Sequence, residues 1–452
     1  MLVVEAFKAT RGAARNLQHL NRRHSPLLQK TSLIQKRLFF NFFRSGNDAQ
    51  GLDKESSASA YKLNWEDSKP RTFCWDGSHT HMLGEAFPKP VLIPALNDHK
   101  IDSFSCGVNH STALVSKKVF SWGTNDYGQV GPTHQVFALI DDDSDDQVNS
   151  PFMIPSLADD DFKAIASGNF HNLALSEEGK LWTWGAGILG RGTEIYDTNP
   201  GLVTFFDEIE RVPESIHAAG DYSLVVARPK DPTQNLQEVY IWGYLPCQND
   251  GAQKALNPIL VEGLLGTAVE QIVCSPTHFT AMGTSLDNGK PTMVSFGQTQ
   301  AQVDAKVYEK PYYPTYHDVA TNDRLYSEKP NSVMSPPDMI RQICPGRGFD
   351  LLLLEHTNPL AMEADGSIWR RTTGQAPAKL ATDLPEKILQ VAVGGTQVAA
   401  VGDQGGVYLW QAPNPDLPEL GKLIGSKQGS QVILRKPGLA MLTSQYDRFM
   451  VC

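Results

Sequence analysis

The chain has 452 residues, of which 41% are hydrophobic and 20% are charged, and its formal net charge is -10. This length allows two or three ordinary domains or one large repeat architecture, and either could bury a sizeable core. The composition excludes a mostly disordered chain, and no uncharged apolar stretch is long enough for a transmembrane helix.

The net charge is distributed unevenly along the chain. Residues 1–44 contain nine Lys or Arg residues and one acid, Glu5, so the remainder carries about -18. A basic, acid-poor start with interspersed Leu and Phe is typical of a mitochondrial presequence. We therefore predict a transit peptide over 1–45, a linker over 46–70, and a location in the mitochondrial matrix or on the matrix face of the inner membrane. A disordered basic arm for nucleic acid is the alternative.

Residues that usually mark catalytic or metal sites are scattered. The six Cys occur singly without CxxC spacing, and the twelve His form no HExxH pattern, so neither a zinc site nor a disulfide framework is predicted. Buried free thiols are the expectation for the cysteines. The sequence also lacks a GxSxG nucleophile elbow. We therefore predict a protein that is not an enzyme, with no catalytic residues, no metal and no cofactor.

Two short runs alternate along the chain. The first is an apolar run that ends in Trp, commonly followed by Gly, and its seven copies, some degraded, are Phe73–Asp76, Val119–Gly123, Leu181–Gly185, Val239–Gly243, Met293–Gly297, Ser367–Arg370 and Val407–Gln411. The second run reads Gly-x-x-His-x-x-Ala-Leu in its best copies. Its copies begin at Gly107, Gly168, Gly220, Ser275, Gly346, Gly394 and Gln445.

The two runs predict a ring of β-hairpins. Two β-rich runs joined by a Gly turn form a hairpin, and a ring of hairpins buries the faces that one hairpin exposes. The first Trp run lacks a preceding partner, and the last run, Gln445–Cys452, lacks a following one. Joining them completes a seventh unit without a free edge. We therefore predict an all-β, seven-bladed β-propeller over 71–452, closed by pairing of the N- and C-terminal segments.

These runs resemble the repeat of the regulator of chromosome condensation family, in which Gly-x-x-His-x-x-Ala-Leu, a Gly turn, Trp-Gly and a glycine-rich loop follow one another. Gly123–Gly131 followed by Pro151–Pro155 is similar to that loop, and the resemblance extends from about Arg71 to Cys452. With the presequence, the chain looks like a mitochondrial member of the family. Several units diverge: the His position holds Ser223, Phe349, Gln397 and Arg448, and the Gly after Trp is replaced by Arg370 and Gln411.

The repeat positions are predicted to have structural roles. We expect the repeat histidines to donate to backbone groups inside their own blades, because a ring separates equivalent residues and does not converge them on one ion. The predicted structural set is Gly107, His110, Trp122, Gly123, Gly168, His171, Trp184, Gly185, Gly220, Trp242, Gly243, His278, Gly346, Trp369, Gly394 and Trp410. Gly185–Gly190 spells GxGxxG with Asp207 downstream, but no amphipathic helix is predicted after it, so we do not predict a dinucleotide site.

Two loop segments are candidates for partner binding. The acidic run is either a solvated loop or a docking patch for a basic partner, and it contains Asp141, Asp142, Asp143, Asp145 and Asp146. The largest insertion lies between Gly297 and Cys344, and it either forms an interface or packs over the propeller face. Its tyrosines are Tyr308, Tyr312, Tyr313 and Tyr316.

A propeller without a chemical constellation is expected to act through its loops. The resemblance then implies a non-catalytic mitochondrial platform for protein interactions in organelle biogenesis, either respiratory-complex assembly or mitochondrial ribosome or RNA function. Its partners would be a mitochondrial GTPase, ribosomal components or respiratory-assembly factors. The alternative is a guanine-nucleotide exchange factor for a mitochondrial GTPase. The acidic body disfavours nucleic-acid binding, whereas peripheral association with the inner membrane stays open.

Overall fold

The structure is a computed structural model. It describes residues 71–76, 91–132, 147–234, 236–246, 254–298, 325–326, 330, 332–334, 340–345, 349–354, 367–372, 378–380, 387–394, 397–411, 431–435, 442–445 and 448–451. The chain divides into two compact units, Met1–Ser56 and Ser57–Cys452, and all described residues belong to the second unit. The predicted presequence lies outside the described residues.

The described residues form strands joined by turns and a few single helical turns. The first fourteen strands are β1 (Phe73–Asp76), β2 (Val91–Leu92), β3 (Ile101–Cys106), β4 (His110–Val115), β5 (Lys118–Thr124), β6 (Gln147–Met153), β7 (Phe162–Ser167), β8 (His171–Ser176), β9 (Leu181–Ile188), β10 (Glu194–Leu202), β11 (Arg211–Ala219), β12 (Tyr222–Pro229), β13 (Glu238–Tyr244) and β14 (Lys254–Val261). The helical turns are 3₁₀ turns at Pro94–Leu96, Pro155–Leu157 and Glu262–Leu264, and α1 (Phe205–Glu208).

The remaining strands continue the same pattern. They are β15 (Thr267–Cys274), β16 (His278–Ser285), β17 (Pro291–Gly297), β18 (Leu325–Tyr326), β19 (Ser332–Met334), β20 (Ile340–Pro345), β21 (Phe349–Leu354), β22 (Ser367–Thr372), β23 (Ala378–Leu380), β24 (Ile388–Val393), β25 (Gln397–Gly402), β26 (Gly406–Gln411), β27 (Gln431–Arg435), β28 (Leu442–Gln445) and β29 (Arg448–Val451).

The central hairpin of each unit follows from its turn residues. β4 and β5 are joined across Ser116 and Lys117, which both have positive φ, 48° and 67°. Two consecutive residues of positive φ give the turn whose twist matches that of paired strands. In the next hairpin Gly179, with a φ of 86°, supplies the positive-φ residue. The predicted Gly turn therefore has an equivalent built from two side-chain-bearing residues.

Within the described residues the strands form seven sheets around a common centre. Sheet 1 consists of β3–β6, sheet 2 of β7–β10, sheet 3 of β11–β14 with β18, sheet 4 of β15–β17 with β19, sheet 5 of β20–β23, sheet 6 of β24–β27, and sheet 7 of β28, β29, β1 and β2. The innermost strands contact one another in the order β3, β7, β11, β15, β20, β24 and β28, and β28 contacts β3. The fold is therefore an all-β propeller.

The prediction of a seven-bladed propeller is corrected by the strand order. Five sheets are blades built from one continuous segment of the chain, since sheets 1, 2, 3, 5 and 6 each contain four strands that are consecutive in sequence. The other two are composites. Sheet 4 is completed by β19 only after the chain has passed through β18 in sheet 3. Sheet 7 joins β1 and β2 to β28 and β29, so the predicted pairing of the N- and C-terminal segments is confirmed. The departure at sheet 3 has a physical reason, since β18 hydrogen-bonds to the edge of β14.

The apolar core lies between neighbouring sheets. Leu114 and Val119 of sheet 1 pack with Phe162, Ala174 and Trp184 of sheet 2. A larger cluster spans sheets 2, 3 and 4. Each sheet therefore depends on the next one for burial of its faces, which is how a ring stabilises units that are too small to fold alone.

Candidate functional site

The Trp-Gly positions fix the ends of the hairpins in sheets 1 to 4. Trp122, Trp184 and Trp242 are at most 2% exposed, and Phe296 takes the same place in sheet 4. The glycines that follow these aromatic residues have φ values between 104° and 115°, and a Cβ on any of them would lie 2.2 to 2.6 Å from a backbone oxygen. They are Gly123, Gly185, Gly243 and Gly297. Only glycine accepts this close approach together with a positive φ.

In sheets 1 and 2 the loop after the Trp-Gly pair contacts the aromatic residue of the next sheet. In sheet 1 this loop offers the carbonyl oxygen of Gln129, which accepts hydrogen bonds from Trp184 Nε1 at 3.1 Å and from Asn172 Nδ2 at 2.7 Å. In sheet 2 the loop brings Gly190 against the Trp242 ring, 3.0 Å from the position of an added Cβ. These contacts hold the loop ends at fixed positions on one face of the propeller.

The repeat histidines connect neighbouring sheets. His110 Nε2 lies 2.7 Å from Asn172 Oδ1, and His171 Nε2 lies 2.8 Å from Ser223 Oγ. Both rings are at most 3% exposed. The structure thus differs from the predicted donation to the backbone within a blade. The reason is the glycine that begins each run, because Gly107 leaves room for the His110 ring, whose Cε1 lies 2.0 Å from where a Cβ would be.

Tyr222 occupies the histidine position in sheet 3. Strand register places it opposite Gly243, as His110 lies opposite Gly123. Its hydroxyl donates to the carbonyl oxygens of Ser275 and His278 in sheet 4, at 2.8 and 2.9 Å. The assignment of Ser223 to this position was therefore wrong by one residue. In sheet 3 one residue separates the glycine of the run from the first residue of the strand, whereas two residues separate them in sheets 1 and 2. The residue types alone do not show this difference.

His278 forms a buried polar network between sheets 4 and 5. Its Nε2 lies 3.0 Å from Asp350 Oδ1, and its Nδ1 lies 2.9 Å from Ser275 Oγ. The second carboxylate oxygen of Asp350 accepts from Thr280 Oγ1 at 3.0 Å. Ser275, His278 and Asp350 are only 1 to 3% exposed, so this Ser-His-Asp arrangement offers no nucleophile to a substrate. It joins the two sheets instead.

The divergent sheets keep the register only in part. Gln397 lies opposite Gln411 and Arg448 opposite Asp76, in the arrangement of His110 and Gly123. In sheet 5 Phe349 lies opposite Thr372, whereas the predicted Trp369 lies opposite Leu352. Trp369 therefore falls two residues before the expected Trp position. The connection between β21 and β22, residues 355–366, lies outside the described residues.

The structure describes only some of the other predicted residues. Gly168 resembles Gly107, since its added Cβ would meet His171 Cε1 at 2.1 Å, and Gly220 has a φ of 57°. Gly394 is buried after β24, and Trp410 lies in β26 opposite Val398. The predicted residues outside the described ranges are Gly346, Asp141, Asp142, Asp143, Asp145, Asp146, Tyr308, Tyr312, Tyr313 and Tyr316. Their roles stay predictions.

A hairpin in sheet 2 is a surface feature that the sequence motifs did not predict. β9 continues beyond Gly185 to Ile188, and its last residues pair with Glu194 to Asp197 of β10. We call residues 186–197 the sheet 2 hairpin. Ile195 and Tyr196 are 36% and 43% exposed on it. The signal available in the sequence was the apolar Ile-Tyr pair that follows the glycine-rich segment.

The sheet 2 hairpin is held against sheet 3. Tyr244 Oη donates to Glu194 Oε1 at 2.6 Å, and Gly192 N donates to the carbonyl oxygen of Leu256 at 3.2 Å. Within the hairpin, Arg191 Nη1 donates to Asp197 Oδ2 at 3.1 Å. These bonds fix the position of the hairpin. Binding of a partner therefore costs little conformational entropy for ordering this segment.

Burial perturbs several titratable groups in sheets 2 to 5. Burial raises the pKa of Asp221 to about 6, with Glu194 adding to the rise and the hydrogen bond from Asn169 Nδ2 opposing it. Burial lowers the pKa of both His171 and His217 to about 4, so these rings are neutral near pH 7. Desolvation also raises the pKa of the Cys274 and Cys344 thiols to about 12, which makes them unreactive.

The described residues hold no group of three or more His, Cys, Asp or Glu side chains that could bind a metal ion. Among their helices, none is long and apolar enough to cross a membrane. The GxGxxG segment Gly185–Gly190 begins in β9, and the next element is β10, so it joins two strands. A dinucleotide fold would place a helix there.

Two family models, both described as the regulator of chromosome condensation (RCC1) repeat, match this chain. One covers residues 118–175, and the other covers 101–129 and 162–190. These segments lie in sheets 1 and 2 and include His110, His171, Trp122 and Trp184.

Curated relatives match part of the chain. It is 25% identical over 282 residues to the E3 ubiquitin-protein ligase HERC2 of Homo sapiens, with 49% of this chain and 6% of HERC2 covered. It is 27% identical over 211 residues to the ultraviolet-B receptor UVR8 of Arabidopsis thaliana, with 45% of this chain and 44% of UVR8 covered. The matches thus span less than half of these relatives.

Solved structures share the fold over most of the chain. The crystal structure of Prp20p from Saccharomyces cerevisiae, studied together with its binding to Gsp1p and histones, has a TM-score of 0.58 at 20% identity. The match covers 85% of this chain and 92% of Prp20p. At this identity the likeness concerns the propeller fold alone.

Proposed function

Because this chain carries RCC1 repeats on a β-propeller, we propose that it is a non-catalytic platform for protein interactions in mitochondria, acting in respiratory-complex assembly or in mitochondrial ribosome or RNA function. Two kinds of observation support the proposal. The repeat residues that the structure describes are used to join sheets, and the one Ser-His-Asp arrangement among them is buried. A ring of this kind presents loops and hairpins to partners.

The observation that carries the proposal is the sheet 2 hairpin. It exposes Ile195 and Tyr196 by 36% and 43%, on opposite faces of the hairpin because they are consecutive in β10, and hydrogen bonds to sheet 3 hold it in place. Aromatic and aliphatic anchors in a rigid frame are typical of the residues that contribute most to binding free energy. Glu194 and Asp197 flank them, and these carboxylates pair with Lys254 and Arg191 at 3.8 and 3.1 Å.

The double variant Ile195→Ser, Tyr196→Ser tests this proposal. Proximity labelling inside mitochondria should lose the specific partners of the full chain, because the hairpin's apolar anchor is gone while its backbone pairs remain. Leu202→Ser is the matched control, since Leu202 is 37% exposed in the same strand but outside the hairpin. An unchanged partner set in the double variant would refute the role of the hairpin.

The mitochondrial location is supported by residues 1–45, which are basic and almost free of acids. A fluorescent protein fused to residues 1–45 should reach mitochondria, and replacing Arg11, Arg15, Arg22 and Arg23 with Gln should leave it in the cytosol. Nuclear accumulation of the intact fusion would favour a basic arm for nucleic acid and would reject the location.

The alternative function is guanine-nucleotide exchange on a mitochondrial GTPase. It is favoured by the shared fold with Prp20p, which was studied for its binding to Gsp1p. Release of labelled GDP from purified mitochondrial GTPases should accelerate with the full chain and should be slower with the Ile195→Ser, Tyr196→Ser variant. Release rates unchanged by the full chain for every candidate would reject exchange and leave the platform function standing.

A further inference from the structure

One face of the propeller carries the turns between the second and third strands of the sheets, opposite the sheet 2 hairpin. In five sheets the first residue of this turn donates its N–H to the carbonyl oxygen just before the first strand. The pairs are Ser116 to Lys100, Glu177 to Asp161, Lys230 to Glu210, Leu286 to Gly266 and Asp403 to Lys387, with distances of 2.8 to 3.2 Å. Because the backbone is the same at each junction, the side chains can be compared directly.

Sheet 4 is the exception among these five junctions. Every other pair contains at least one charged side chain, whereas Leu286 and Gly266 have none. Leu286 is 53% exposed, and Leu265, next to Gly266, is 46% exposed. Leu265 and Leu286 therefore lie at a junction that carries charged residues in the other four sheets.

A third exposed leucine lies in the adjacent turn of sheet 3. Leu236 is 39% exposed in the turn of sheet 3, and its neighbour Gln237 accepts a hydrogen bond from Val269 N at the start of sheet 4, at 3.0 Å. We call Leu236, Leu265 and Leu286 the leucine patch. Single exposed leucines are ordinary, whereas a group of them around one junction is a candidate interaction surface.

The equivalent junction between sheets 1 and 2 shows what the patch replaces. There Lys117 pairs with Glu177 at 2.9 Å, and Lys118 pairs with Asp161 at 2.7 Å. Leu286 stands in the place of Glu177, and Gly266 in the place of Asp161. Within the described part of the chain, ion pairs like those of the first junction are absent from the junction of sheets 3 and 4, and its leucines are exposed.

Carboxylates border the leucine patch. Glu262 and Asp287 are exposed in the connections of sheet 4, Glu270 is exposed in β15, and Asp231 is exposed in the turn of sheet 3. The exposed cations in the same two turns are Lys230 and Lys290, so carboxylates outnumber them. An apolar centre with an acidic border is complementary to a segment that carries apolar residues flanked by Lys or Arg. We propose that the leucine patch binds a basic amphipathic helix of a partner protein. This binding surface is independent of the sheet 2 hairpin.

The probe is a fluorescent amphipathic peptide of Leu and Lys at helical spacing, with a Leu and Glu peptide of the same pattern for comparison. The full chain should bind the Lys peptide and not the Glu peptide in fluorescence anisotropy. The triple variant Leu236→Ser, Leu265→Ser, Leu286→Ser should weaken binding about tenfold or more. Ile195→Ser, Tyr196→Ser is the control, and it should leave the affinity unchanged because it alters the opposite face.

A second variant keeps the test independent of folding. Leu286→Lys introduces the residue type that sheet 3 already tolerates at Lys230, so it should fold, and it should also lose the peptide. Wild-type affinity in either variant, or equal binding of the Lys and Glu peptides, would overturn the proposal. Leucine-dependent binding to phosphatidylcholine vesicles without peptide binding would assign the patch to a membrane and overturn it as well.

Discussion

Replacing Gly185 with Ala measures how much the close approach of two chain segments contributes to stability. Gly185 has a φ of 105°, and its added Cβ would lie 2.2 Å from the carbonyl oxygen of Phe170. Gly187, two residues later in β9, has a φ of 117°, but its added Cβ would meet nothing within 4 Å. The two Ala variants therefore share the backbone strain and differ in the contact.

The magnitudes follow from these two environments. Gly187→Ala should cost about 0–1.5 kcal/mol, because strain at positive φ of roughly 1–2 kcal/mol is partly offset by the reduced entropy of the unfolded chain. Gly185→Ala must also push the strand away from Phe170, which removes the 2.9 Å hydrogen bond from Ala186 N to the Phe170 carbonyl. We expect this to add about 2–4 kcal/mol.

Urea unfolding followed by circular dichroism gives both free energies. The reasoning requires a larger loss for Gly185→Ala, with m-values close to that of the wild-type protein. Equal losses for the two variants would refute it, because strain at positive φ would then account for the whole effect and the contact with Phe170 for none.

Three further predictions concern buried polar groups. Asp221→Asn should raise the free energy of unfolding by about 1–3 kcal/mol at pH 7.5 and by little at pH 4. The folded-state pKa of Asp221 is raised to about 6, so the wild-type protein loses stability as the pH rises from 3.8 to 6. A variant less stable than the wild-type protein at pH 7.5 in urea titrations would contradict this. The depressed pKa of His171, about 4, has the opposite sign, so wild-type stability should fall by about 2–3 kcal/mol more than that of His171→Gln between pH 6.5 and 4.5. Parallel pH profiles would count against it. Tyr222→Phe should cost about 1–3 kcal/mol, because the Ser275 and His278 carbonyl oxygens lose the Tyr222 hydroxyl, although the His278 oxygen keeps the bond from Ser275 N. A thermal or urea midpoint unchanged by Tyr222→Phe would show that water or another donor replaces the hydroxyl.

The propeller class and the repeat family could be predicted because they depend on local patterns. Apolar runs that end in Trp-Gly, with a glycine-containing run before each of them, require hairpins that bury their faces against neighbours. The family models match the two units in which this pattern is best preserved, over 101–190. The order of strands in sheets 3 and 4 was not predictable, because the two-residue strand β18 has no periodicity of its own.

The candidate interaction surface was predicted least well. Neither the sheet 2 hairpin nor the leucine patch has a sequence motif, because exposure depends on which segments cover a residue. Ile195 is apolar like the buried Ile188, and Leu286 is apolar like the buried Leu264. Composition alone cannot separate the members of such pairs.

The sequence by itself determined the repeating unit and where glycine is required. Gly123 and Gly185 are fixed locally, since no other residue combines a positive φ with a backbone oxygen at Cβ distance. Only the tertiary structure decided which side chains join the sheets. Tyr222 takes the place of a histidine because pairing with Gly243 sets its register, and strand register depends on hydrogen bonds between segments that are distant in the chain.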